Sequence, residues 1–213
     1  VILKDLFIKR FGMKMFGAST GPSFIPSSLR FELGVGKDSL SYKITAMQRL
    51  NCLLDDLGFK ALQIGVAAYA YTYDADEFSP PIPLHQQLLP FARGINTWGG
   101  IKFCRSEFTQ INKDFDPHLP DEESRVAIHF GMVEIDYGLF SSWLILHLMG
   151  DFGASAVPQL MLFDLDSGIM INPYDVRGMD VFGPNHDLLA KLYRKRNDWL
   201  LDFDRDRMRA VYG

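Results

Sequence analysis

Ile171-Asn172-Pro173-Tyr174-Asp175-Val176-Arg177-Gly178-Met179-Asp180-Val181 reads as strand, turn and strand. Two aspartates flank an arginine and a glycine where the backbone must reverse, so charge is dense at the bend. Just upstream, residues 159–163 and 169–171 are apolar runs around Asp164-Leu165-Asp166-Ser167-Gly168, the composition of a hairpin turn. Downstream, residues 179–182 give way to helical spacing over 185–195 and 204–212. Successive hairpins followed by terminal helices predict an α+β fold, with a mixed or antiparallel sheet and helices packed on one side.

The rest of the chain is consistent with that reading. Leu3, Leu6, Phe7 and Phe11 predict a short amphipathic helix. Leu29, Phe31 and Leu33 alternate with Arg30 and Glu32, the period of a strand. Leu40, Ile44, Met47, Leu50, Leu54 and Leu57 recur every three or four residues, with Asp38 as N-cap and Gly58 as C′. Further strands are expected over 60–73, 101–106 and 126–135, and a short helix over 85–91. Acidic, proline-containing loops are expected over 74–83 and 114–123, and residues 140–149 read as an apolar helix or a buried strand. At 213 residues, 47% of them hydrophobic, the chain is expected to fold as one domain over 1–213.

Composition excludes several classes. A net charge of −4 creates no global field for nucleic acid or anionic lipid. The longest apolar run, Leu139 to Met149, is broken by Ser141, Ser142 and His147 and is too short to span a bilayer of roughly 30 Å. Cys52 and Cys104 lack metal or redox spacing and read as free, mostly buried thiols in a reducing cytosol, with a single disulfide between them as the alternative. The terminal stretch Lys191 to Arg209 carries a charge of about +3. Its acids and bases are interspersed, the pattern of a solvated helix face, so nucleic acid is not an expected partner.

Motifs that suggest catalysis lack their context. Gly17-Ala18-Ser19-Thr20-Gly21 has the letters of a nucleophile elbow but no strand before it, and prolines follow it. Gly34-Val35-Gly36-Lys37 joins a strand to a helix, yet Phe31 and Asp38 stand where a phosphate loop needs Gly and Ser or Thr. The D-x-D of Asp164 and Asp166 resembles the first motif of the haloacid-dehalogenase-like phosphatases. Too little chain follows it for the rest of that fold, and a turn explains it. His85, His118, His129, His147 and His186 are scattered without zinc-binding spacing. No catalytic residue, metal or cofactor is expected from these motifs.

One charged constellation survives. Arg30 and Glu32 share a strand face about 7 Å apart, and the turn brings Asp175, Arg177 and Asp180 within reach of one another. If the two strands are neighbours, Arg30, Glu32, Asp175, Arg177 and Asp180 form one polar cluster, able to bind a polar ligand or to tie a sheet to a loop. Arg30-Phe31-Glu32-Leu33-Gly34 and Tyr174-Asp175-Val176-Arg177-Gly178-Met179-Asp180-Val181 resemble the two signature blocks of an uncharacterised bacterial family, the domain-of-unknown-function 3885 family. Leu192-Tyr193, then Trp199-Leu200-Leu201-Asp202 and Asp204-Arg205, are similar to that family's ending. The resemblance runs over nearly the whole chain in order and is weakest in the middle. Val176 stands where the family pattern has a second aspartate. The resemblance implies a fold-length unit and marked residues, with no reaction attached.

The functional expectation is a cytoplasmic bacterial protein that binds another protein without catalysis, such as an immunity protein facing a basic toxin. Acidic loops favour basic partners. The alternative is a carboxylate- or metal-dependent hydrolase using Glu32, Asp175 and Asp180, which requires those acids to converge in a cleft.

Overall fold

The computed structural model describes residues 3–12, 25–36, 38–59, 63–71, 102–111, 126–134 and 159–213. The turn Asp164–Gly168 closes as its composition dictates. The Asp164 carboxylate accepts from the backbone N–H groups of Asp166 (3.1 Å) and Ser167 (3.0 Å), and Gly168 takes a φ of 70°. It joins β5 (Gln159–Asp164) to β6 (Ile169–Asp175), and the Val176-Arg177 turn joins β6 to β7 (Gly178–Phe182). This meander belongs to one seven-stranded antiparallel sheet. The remaining strands are β1 (Leu29–Glu32), β2 (Gln63–Tyr71), β3 (Lys102–Ile111) and β4 (Val126–Glu134). The order is β1-β7-β6-β5-β2-β4-β3, which sets β1 on one edge beside β7, far away in sequence.

The four described α-helices are α1 (Leu3–Phe11), α2 (Ser39–Asp56), α3 (His186–Lys195) and α4 (Arg205–Tyr212). The α2 ends are those expected from sequence. Asp38 accepts from Ser41 N–H at the start, and Gly58 follows Leu57 with a φ of 72°. Ala46, Leu50, Leu53 and Leu54 of α2 pack on Leu29, Phe31 and Leu33, together with Met179 and Val181 of β7. Leu189 and Leu192 of α3 and Met208 of α4 join the same core. Alternate strand residues face the opposite way. There α1 adds cover, with the Phe7 ring 4.9 Å from Phe163 and edge-on to it. The α+β class, the antiparallel sheet and the C-terminal helices match expectation, with α1 as an addition on the second face.

Beyond α3, 3-10 turns at Asn197–Trp199 and Asp202–Asp204 carry the chain back along the outer edge of β1. Leu200 bridges Phe31, Leu201 N–H donates to the Arg30 carbonyl (2.9 Å), and Arg30 N–H donates to the Met208 sulfur (3.3 Å). An edge strand with unpaired backbone groups invites another chain, and this segment closes it.

At the start of α3, Asn185 does two jobs. Its Oδ1 accepts from Leu188 N–H (3.2 Å) and its Nδ2 donates to the Ser167 carbonyl (2.8 Å), tying the helix to the β5–β6 turn. Asn185→Ala is expected to lower the unfolding free energy by about 1–2 kcal/mol in urea titration, the loss of a cap plus one tie.

The serine motif at 17–21, Lys37, the expected helix at 85–91, the acidic loops at 74–83 and 114–123 and the apolar run at 139–149 lie outside the described residues. None of the described helices is long and apolar enough to cross a membrane.

Candidate functional site

The expected meeting of the two charged blocks rests on the pairing of β1 with β7, and the register puts Arg30 directly opposite Asp180. The backbone N–H and C=O of Arg30 point outward, to Met208 and Leu201, so this is a non-hydrogen-bonded pair, the kind whose side chains approach closest. Arg30 Nε lies 2.9 Å from the Asp180 carboxylate and Nη1 lies 2.7 Å from that of Asp204. One guanidinium therefore joins the sheet to the turn that precedes α4. Arg207 reaches the same spot from α4. Its Nη1 donates to the carbonyls of Ile25, Pro26 and Ser28, and its Nε is 3.7 Å from Asp204. Arg30, Asp180, Asp204 and Arg207 carry two positive and two negative formal charges, so the cluster is balanced when both acids are ionised.

Asp180 is the chemically unusual member. Its side chain is only 4% exposed. Burial pushes the carboxyl up to about 6, helped by the neighbouring Asp204 charge and opposed by Arg30 and Arg207. Arg30 Nε, 2.9 Å from the near oxygen of Asp180, opposes that rise by its charge and by hydrogen bonding. The folded chain thus binds this proton more tightly than the unfolded chain does. The resulting stabilisation is fully present below about pH 4 and is lost as pH rises through about 6, on the order of 3 kcal/mol. Asp180→Asn is expected to remove that slope. Urea unfolding of both proteins between pH 4.5 and 7.5 checks it, and parallel pH profiles would contradict it.

The other residues singled out from sequence separate. Glu32 stands opposite Gly178 and is half exposed, with its carboxylate 3.7 Å from Arg49 of α2, while Arg49 also donates to the Glu32 carbonyl (2.7 Å). Arg177 is exposed in the β6–β7 turn, and its carbonyl accepts from Leu33 N–H (2.8 Å). Asp175 pairs through its backbone with Gly178, and its side chain lies outside the described residues. Sequence reasoning missed Asp204 and Arg207, which it placed on a solvated helix face. Among the described residues no group of three His, Cys, Asp or Glu side chains is placed to hold a metal ion.

A second charged joint lies on α2. Burial raises the Asp56 carboxyl, but hydrogen bonds from Arg196 (2.6 Å) and Lys195 (2.7 Å) outweigh it, leaving the carboxyl below its ordinary range. Arg196 also lies over the Trp199 ring at 4.2 Å, with Arg49 at 5.1 Å. Both joints fasten the C-terminal segment to elements that precede it in the chain, the sheet and α2.

No curated protein and no solved structure matches the chain significantly. The model of one family does match, over residues 22–204, a span that contains β1, all the other strands, α2, α3 and Asp204. The chain therefore belongs to the family described as domain of unknown function (DUF3885).

Proposed function

We propose that the chain is a non-enzymatic protein-binding module for a basic partner, as an immunity protein is for a toxin. The observation that supports this reading is the position of Arg30 between Asp180 and Asp204. Asp180, one of the three acids that a hydrolase would use, is instead part of a joint between the sheet edge and the C-terminal segment. Acids outnumber bases 26 to 22, an excess that steers and holds basic surfaces. Three of the seven bases over residues 191–209 face the chain itself: Arg196 holds Asp56, Arg205 holds Asp202, and Arg207 holds carbonyls. In this reading the chain works in a bacterial cytoplasm without a cofactor.

Affinity capture of the tagged full-length chain from its source, at low ionic strength, tests the reading. One stoichiometric protein partner of net positive charge is the expected result. Recovery of none overturns it. A second reading, hydrolysis through Glu32, Asp175 and Asp180, has one observation in its favour, because Asp180 titrates near 6, in the range of a general acid. Hydrolysis of a phosphoester or ester panel that disappears in a folded Asp180→Asn variant would turn the choice toward it.

A further inference from the structure

Phe203 is 88% exposed, in a structure whose other phenylalanines with described side chains are all buried. It occupies the middle of the Asp202–Asp204 turn, and that turn is held from both ends. Asp204 is bound inward to Arg30 (2.7 Å). Arg205 donates to the Asp202 carboxylate (2.8 Å), to the carbonyl and side chain of Asn197 (3.1 and 3.0 Å) and to the Leu200 carbonyl (3.0 Å). Four hydrogen bonds from one guanidinium and a partly buried ion pair fix the backbone under a ring that touches water. Removing a large aromatic from the core and holding it outward costs apolar burial, and nothing in the local packing recovers that cost.

Around the ring, exposed acids outnumber exposed bases: Asp198, Asp202 and Asp206 against Arg209, which lies 3.6 Å from Asp206. Over residues 197–206 the exposed side chains are Asn197, Asp198, Asp202, Phe203 and Asp206, and the one base, Arg205, is turned inward. Asp202 and Asp206 are 91% and 99% exposed. This terminal stretch is positive overall, yet the exposed charges over 197–209 leave a net excess of acid beside Phe203, because Arg205 and Arg207 are turned toward the chain.

We propose that the Asp202–Asp206 knob is the contact surface for the partner, which presents an apolar pocket for the Phe203 ring edged by lysine or arginine side chains. The proposal rests on the protein-binding reading and names the surface it uses. Aromatic anchors at the centre of an interface carry a large share of its affinity. A ring held in place before binding loses little conformational freedom on docking. The rim carboxylates set the sign of the partner and accelerate its approach.

The test uses full-length wild type, Phe203→Ala, Asp206→Lys and, as a control outside the knob, Val211→Ala, each as bait on extract of the source cells. Benzoylphenylalanine at position 203 reports what touches the ring. The expected result is a basic partner held by wild type and by Val211→Ala. Phe203→Ala should weaken it at least tenfold, and Asp206→Lys should weaken it several-fold at low salt and less at high salt. Melting temperatures of wild type, Phe203→Ala and Val211→Ala should agree, since the altered side chains are exposed, and Asp206→Lys should melt slightly lower because it places a base in the first turn of α4 beside Arg209. A partner held equally well by Phe203→Ala overturns the surface and leaves the binding reading standing. No stoichiometric partner on wild type overturns both. Crosslinks from position 203 to a second copy of the chain overturn the assigned occupant.

Discussion

Arg30→Ala is expected to lower the unfolding free energy by about 3–5 kcal/mol at pH 7.5, the cost of removing one member of a buried ion cluster. The substitution leaves Asp180 and Asp204 facing each other with 4% and 13% of their side chains exposed. The pKa of Asp180 already lies near 6 with Arg30 in place, and without it the carboxyl rises further and takes up a proton. That protonation limits the loss and gives the variant a signature. Part of the lost stability returns on moving from pH 7.5 to pH 5, where Asp180 is neutral in any case. Arg30→Lys restores little, because one ammonium cannot reproduce a planar group that meets two carboxylates from different edges. Urea unfolding of the three proteins at both pH values measures all of this. A loss below about 1 kcal/mol at pH 7.5 would mean that the cluster is as weak as a surface pair.

Phe31→Ala is expected to cost about 3–5 kcal/mol, by deleting a ring from a fully closed site. Phe31 is completely buried and shares its core with α2, β7, α3 and α4, while its backbone bridges Leu200. No single element can move to fill the space, because Arg30 on one side and the Leu33 N–H bond to the Arg177 carbonyl on the other fix β1. Phe31→Leu keeps most of the apolar volume and should cost no more than about 1.5 kcal/mol. The two variants together separate packing from backbone effects. Equal losses for Ala and Leu would point to a backbone cause instead of a cavity.

Where local chemistry decides, the sequence predicted the structure well. Asp38 and Gly58 bound α2, and the Asp164 carboxylate with Gly168 makes the hairpin turn, because each acts on backbone within a few residues of itself. The strand expected to stop near residue 106 instead runs to Ile111. A bulge between Phe103 and Arg105 changes which residues share a face within the span expected from sequence, and the extension to Ile111 pairs with Val126 of β4, a partner far away in the chain. The pairing of Leu29 with Val181 is set by long-range packing and has no local signal. The charged block was legible as far as Arg30 and Asp180. Asp204 and Arg207 were not, since Arg207 binds three carbonyls, and a carbonyl carries no residue identity to read. The mixed charges of 191–209 look alike whether they pair locally or reach across the fold. Here they do both, with Arg205 on Asp202 at i,i+3 and Asp204 on Arg30.

Arg30 is the tie between the β1 edge and the C-terminal segment. A double-mutant cycle of Arg30→Met and Asp204→Asn, followed by urea unfolding at pH 7.5, tests that tie most directly. Residues in one ion-pair network couple, and separated ones add. A coupling energy above about 1.5 kcal/mol between Arg30 and Asp204 is expected. Additivity to within about 0.5 kcal/mol would show that the two side chains do not hold each other, and would contradict it.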